Sequence, residues 1–273
     1  MKIIRFLSND HRIFFGQYDI RQPDRARIIE GDIFGEFRVT PRTAEIKRFL
    51  PPVEPRSILA LGLNYRGHAK ETAMDIPDDP ILFIKATGSA LGHQEPIVLP
   101  AIGPDKVDYE AELAIVVGKM AKNIKESEAI GCVLGYTCAN DVSARDWQFE
   151  KQKGQWARGK SFDTFCPLGP WLVTTDEIAR PDRLRIRAIL NDKDILQDAN
   201  TSGMIFSVAA VISFLSQSMT LYPGTIILTG TPEGVGFTRQ PPLFLKAGDR
   251  ISVDIEGIGR LSNPVIREPL SSS

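Results

Sequence analysis

Glu110 and Glu112 stand two residues apart at the head of a short apolar run, Leu113 to Val117, that closes at Gly118. In an extended chain they project from one face, with Asp108 in line behind them. Two ionised carboxylates side by side at the edge of a core repel each other and resist desolvation unless a cation lies between them. The pattern therefore asks for a divalent metal or for paired Arg and Lys. A hard ion such as Mg²⁺ takes oxygen ligands, keeps some of its waters and needs only a few carboxylates. Asp141 is the natural third acid, in GYTCANDVSARDWQ, where a second apolar stretch, Cys132 to Ala139, gives way to a polar segment. On spacing alone, a metal centre and an internal network of ion pairs are equally good readings.

A second constellation lies in LNYRGHAKE. With Asn64 as the cap of a short helix, His68 and Glu71 fall at i and i+3 on one face, giving a carboxylate-oriented imidazole able to take a proton from water. The bland alternative is a surface pair. The following DIPDDP, Asp75 to Pro80, offers no core-forming residue beyond Ile76, so helix and loop together read as a lid. Downstream of Asp141, the stretch RDWQFEKQKGQWARGK supplies Arg145, Gln148 and Lys160. Beside a metal, Arg145 or Lys160 would suit a substrate carboxylate, whereas Lys151, Lys153 and Arg158 belong to a solvated face. TIILTGTPEGVG, Thr225 to Gly236, reads as a strand ending in a turn whose amides and Thr231 hydroxyl suit anionic oxygens. It lacks the Gly-Lys-Ser/Thr of a P-loop, and a plain tight turn is the alternative.

These groups need a scaffold, and 273 residues suffice for one large domain, or one large and one small. The 42% hydrophobic and 25% charged content is that of a globular protein, and a net charge of -1 without a basic block argues against nucleic-acid or membrane-surface partners. Cys132, Cys138 and Cys166 are an odd set without CxxC spacing, which suits buried reduced thiols. MKIIRFLSND lacks the apolar region of a signal peptide, no stretch is long enough to span a bilayer, and a cytoplasmic protein is expected. Short β-like runs, among them Lys2 to Leu7, Ser57 to Leu63, Ile81 to Lys85 and Ile251 to Ile255, outnumber helices. Helical spacing marks Met204 to Ser218, and a second helix is expected over Glu126 to Val133. The class is therefore α+β and β-rich. The proline-bearing segment Thr40 to Arg56 is read as a boundary between a small N-terminal domain, residues 1–55, and a catalytic domain, residues 56–273.

In chain order, GLNYRGHAKE, FIKATGSALG, VDYEAELAIVVGK, GYTCANDVSARDWQ, GKSFDTFCPLGPWLV and LTGTPEGVG resemble the fumarylacetoacetate hydrolase family, in its acylpyruvase and hydroxyhepta-diene-dioate isomerase-like branch. The resemblance runs from Ser57 to Val265, and the N-terminal residues resemble the small extra domain of one subgroup. It implies a mixed β-sandwich or β-roll catalytic domain, a homodimer, and Mg²⁺ or Mn²⁺. By resemblance, Glu110, Glu112 and Asp141 hold the metal, and His68 with Glu71 activates water. Arg145, Gln148, Lys160 and Thr231 contact substrate, with Lys160 also serving the departing enolate, and Asp108 supports the ligands. The activity implied is hydrolysis of a C–C bond in acylpyruvate-like 2,4-dioxo acids through a metal-stabilised enolate. Such a site also serves decarboxylation of oxaloacetate-like acids, keto–enol tautomerisation and isomerisation of hydroxy-diene-dioates; the complete His68 and Glu71 pair ranks hydrolysis first. A non-catalytic metal and oxo-acid binding protein is the reading of another class, and the full set of residues speaks against it.

Overall fold

The computed structural model describes residues 1–269. Strands dominate, as the short bounded apolar runs require. The main sheet has 11 strands. At its centre is Ala111–Val117, buried at every position, which is why it reads as a continuous apolar run. It pairs antiparallel with Val133–Asn140 on one side and with Thr225–Leu228 on the other. Thr225–Leu228 runs parallel to Ser57–Gly62, which pairs in turn with the edge strand Ile81–Lys85. A second sheet of five strands includes Arg185–Leu190, Arg250–Ile255 and Gly259–Arg267. Its apolar side chains join the core that covers one face of the main sheet, including Leu113, Ile115, Ile186 and Val253. The expected β-rich α+β class is the class observed.

The N-terminal strands Lys2–Ser8, Ile13–Tyr18, Arg25–Gly31 and Phe37–Leu50 close on one another and join the main sheet where Lys2 and Ile3 pair with Val173 and Leu172. The segment from Thr40 is mostly strand: Phe37–Leu50 runs straight through Pro41. Pro41 is tolerated because the pairing register with Arg25–Gly31 shifts there, between Arg27 and Ile29, and a bulged residue needs no ladder N–H.

The helices are short. Val208–Ser218 starts four residues later than its apolar pattern, because Ser207 caps it by accepting from Ala210 N at 3.2 Å. The expected Glu126 to Val133 helix stops at Ala129 and tightens through Ile130–Cys132, since Val133 already opens a strand. All three cysteines are free thiols, and Cys138 and Cys166 are buried. No helix among the described residues is long and apolar enough to cross a membrane.

Candidate active site

The head of the central strand is where the acids converge. Glu110, Glu112 and Asp141 each place a carboxylate oxygen within 4.8 Å of the others, and all three are buried. Asp141 reaches them because Val133–Asn140 pairs Asn140 with Ala111, so the strand ends beside the two glutamates. Lys160 Nζ donates to Glu110 Oε2 at 2.9 Å, Asp141 Oδ2 at 2.6 Å and Ser143 Oγ at 2.8 Å. It is carried by the helix Trp156–Lys160, whose close approach depends on Gly159: a Cβ there would lie 2.6 Å from Gln148 N and 2.8 Å from Ala144 O.

A further cation is not among the residues singled out by motif. Lys85, 1% exposed, donates to Asp141 Oδ1 and, at 3.3 Å, to Val142 O. The signal lies in the strand ILFIK, where Phe83 and Lys85 share the inward face and Ile84 points out at 54% exposure. Gln197 is a second such residue. It accepts from Ala111 N at 2.9 Å and donates to Thr231 Oγ1 at 2.8 Å, tying the central strand to the loop after Thr225–Leu228.

Arg145 reaches the same wall with its guanidinium already committed. Its Nη2 lies 2.9 Å from Asp108 Oδ2 and 2.7 Å from Glu110 Oε1, and its Nη1 donates to Gln148 Oε1 at 2.8 Å. It fixes Glu110 and Gln148 while itself lining the cleft beside them. Asp108 accepts the amides of Gly236 and Phe237, at 2.8 and 2.9 Å, and so anchors that loop beside the acids.

The electrostatics separate the two glutamates. Burial raises Glu110, but Lys160 and Arg145 outweigh it and hold the carboxyl at about 2. Glu112 is pushed well above the usual carboxylate range by burial and by facing Asp141 and Glu110. Its Oε2 accepts from Gly230 N at 2.6 Å, while its Oε1 is buried with no hydrogen-bond partner among the described residues. An unpartnered buried carboxylate oxygen beside two further carboxylates has the donor chemistry that suits a hard divalent cation, so these residues fit a metal of the Mg²⁺ or Mn²⁺ kind.

Above the acids opens a cleft of about 490 Å³. His68, Glu71, Glu110, Arg145, Gln148, Lys160 and Thr231 all line it, so seven residues singled out from four separate stretches meet in one place. His68 and Glu71 lie on the helix Arg66–Glu71, with His68 Nδ1 3.2 Å from Glu71 Oε2. Asn64 is not the cap of that helix. Its carboxamide donates to Thr229 O at 2.8 Å and to Phe206 O at 3.1 Å, and accepts from Phe206 N at 2.8 Å, while Tyr65 takes the cap position without a side-chain bond. Asn64 thus braces the start of the helix to two neighbouring loops. Apolar side chains, among them Met74, Phe83, Trp156 and Phe237, complete the walls.

The family model described as fumarylacetoacetate (FAA) hydrolase C-terminal matches residues 57–266, and one described as Rv2993c-like, N-terminal, matches residues 1–52. Oxaloacetate tautomerase fahd2, mitochondrial, from Xenopus laevis is 48% identical over 223 residues, covering 82% of this chain and 69% of that protein. The structure of 5-carboxymethyl-2-hydroxymuconate delta-isomerase from Mycobacterium smegmatis matches with a TM-score of 0.86 at 39% identity, over 98% of this chain and 100% of that one. The structure of 2-hydroxyhepta-2,4-diene-1,7-dioate isomerase from Mycobacterium marinum matches with a TM-score of 0.84 at 40% identity, over 98% and 99%.

Proposed function

The chain belongs to the fumarylacetoacetate hydrolase family, and from that premise we propose that it is a metal-dependent tautomerase of oxaloacetate-like 2-oxo dicarboxylic acids, interconverting enol and keto forms. One observation carries this reading: a single cleft is lined by Glu110 of the buried carboxylate triad, by the lysine that binds the triad and by a carboxylate-oriented histidine. The names of the relatives support it further, because a tautomerase and an isomerase rearrange a substrate without a net addition of water. These names favour tautomerisation over the acylpyruvate hydrolysis that the family resemblance implied.

Converting enol to keto removes one proton from the 2-hydroxyl oxygen and adds one at C3, with no net change in composition. His68, with Nδ1 turned to Glu71, leaves Nε2 for the cleft and can carry the proton exchanged at C3. The Lys160 ammonium at the floor sets a fixed positive charge where negative charge gathers on oxygen. Gln148 and Thr231 offer polar contacts to the substrate's carboxylates. Mg²⁺ or Mn²⁺ held by Glu110, Glu112 and Asp141 would supply Lewis-acid stabilisation of the enolate.

The test follows decay of the enol absorbance of oxaloacetate, with pyruvate release from acetylpyruvate in parallel, each with Mg²⁺ and with EDTA. Metal-dependent acceleration of enol loss that falls by about 10²-fold or more in His68→Ala, without pyruvate release, is the expected result. Hydrolysis is the second reading, favoured by the complete His68 and Glu71 pair. Pyruvate release from acetylpyruvate that vanishes in His68→Ala would establish it in place of the first.

A further inference from the structure

The Glu71 carboxylate is held from two sides. Its Oε2 faces His68 Nδ1, while its Oε1 accepts from Gly234 N at 2.9 Å and from Thr238 Oγ1 at 2.8 Å. Thr238 Oγ1 also lies 2.9 Å from Val235 O, but a hydroxyl has one proton, and a carboxylate is the stronger acceptor. Glu71 is the last residue of its helix, where the helix dipole disfavours a negative charge. The two donors from the 234–238 segment offset that cost. The residue before that segment also lies against the helix: a Cβ on Gly67 would meet the side-chain carboxylate of Glu233, 1.9 Å from Oε2. The loop after Thr225–Leu228 and the His68-bearing helix are therefore fitted to one another at two points.

We propose that Thr238 is a positioning residue for the His68–Glu71 pair: by holding one oxygen of Glu71 it turns the other toward His68, and it docks the Arg66–Glu71 helix over the cleft. The proposal rests on the reading of His68 as the proton carrier. Because the loop that carries Thr238 also carries Thr231, whose hydroxyl lines the cleft and accepts from Gln197, the orientation of the base is tied to the segment that meets substrate. Glu71 thus has a structural partner on the opposite wall as well as a chemical one on its own helix.

The experiment compares wild type with Thr238→Val, which keeps the shape and removes the donor, and Thr238→Ser, which keeps the donor and removes the methyl. Two quantities are read: kcat and KM for loss of the oxaloacetate enol, and hydrogen exchange of the amides of residues 66–74. Thr238→Val should lower kcat by about ten- to hundredfold, leave KM nearly unchanged and speed exchange over 66–74, with Thr238→Ser close to wild type on both counts. Exchange and kcat unchanged in Thr238→Val would overturn the proposal. So would Thr238→Ser being as impaired as Thr238→Val, since the methyl rather than the hydroxyl would then be at work. The exchange measurement needs no substrate. A wild type inert toward oxaloacetate would count against the functional reading, while exchange would still decide the docking.

Discussion

Glu112 concentrates the cost of building this site. Its carboxylate is fully buried, faces two other acids, and has one oxygen without a hydrogen-bond partner among the described residues. Replacing it by Gln removes the like-charge repulsion and keeps the acceptor for Gly230 N. Glu112→Gln should therefore melt higher than wild type in EDTA, by a few degrees, yet lose most of its affinity for Mn²⁺; thermal melts with and without the ion check both signs. The acids themselves are legible in the amino-acid sequence, because a period of two along an apolar strand puts Glu110 and Glu112 on one face. Lys85 is harder to recognise, since a lysine closing an apolar strand looks like a solvent-facing stop. Only the inward alternation with Phe83 reveals it. Gln197 is beyond reach: its partner Ala111 is 86 positions away, and no local pattern marks a glutamine for burial.

At the scale of elements, the positions of strands are easier to anticipate than the ends of helices. The apolar stripe of Val208–Ser218 is unmistakable, but Ser207 and the preceding Thr201–Gly203 turn decide where it begins. Ser207→Ala should cost about 1 kcal/mol of stability, measured as a lower urea midpoint with an unchanged slope, because Ala210 N then loses its acceptor. Asn64 shows the opposite failure. Its place before a helix suggests a cap, while its true partners, Phe206 and Thr229, lie far along the chain. Pro41 is a different case: a proline in an extended run often ends a strand, whereas here a bulge absorbs it.

The molecule as a whole is held together where the N-terminal strands meet the rest, and His93 sits at that junction. Its ring packs edge-on against Phe49 at 5.6 Å, and its Nδ1 accepts from Ser262 N at 3.0 Å, which requires the neutral form. Burial, with Arg250 adding to it, lowers His93 from 6.5 to about 4. The unfolded chain therefore takes up this proton first. The stability from keeping His93 neutral is complete above pH 6.5 and is lost as pH falls toward 4. That loss amounts to at most about 3 kcal/mol. Urea midpoints across this window should fall steeply in wild type and less so in His93→Gln.

The acids at the floor grow from the middle of the main sheet, while the base rides on a helix of six residues at its rim. Floor and rim come from separate stretches of the chain. On the proposed function, a lineage that keeps the buried sheet centre while altering the short segment from Arg66 to Pro80 would retain its grip on an enolate and change what is done to it. Chimaeras that exchange only that segment between relatives would trade one reaction for another on an unaltered foundation.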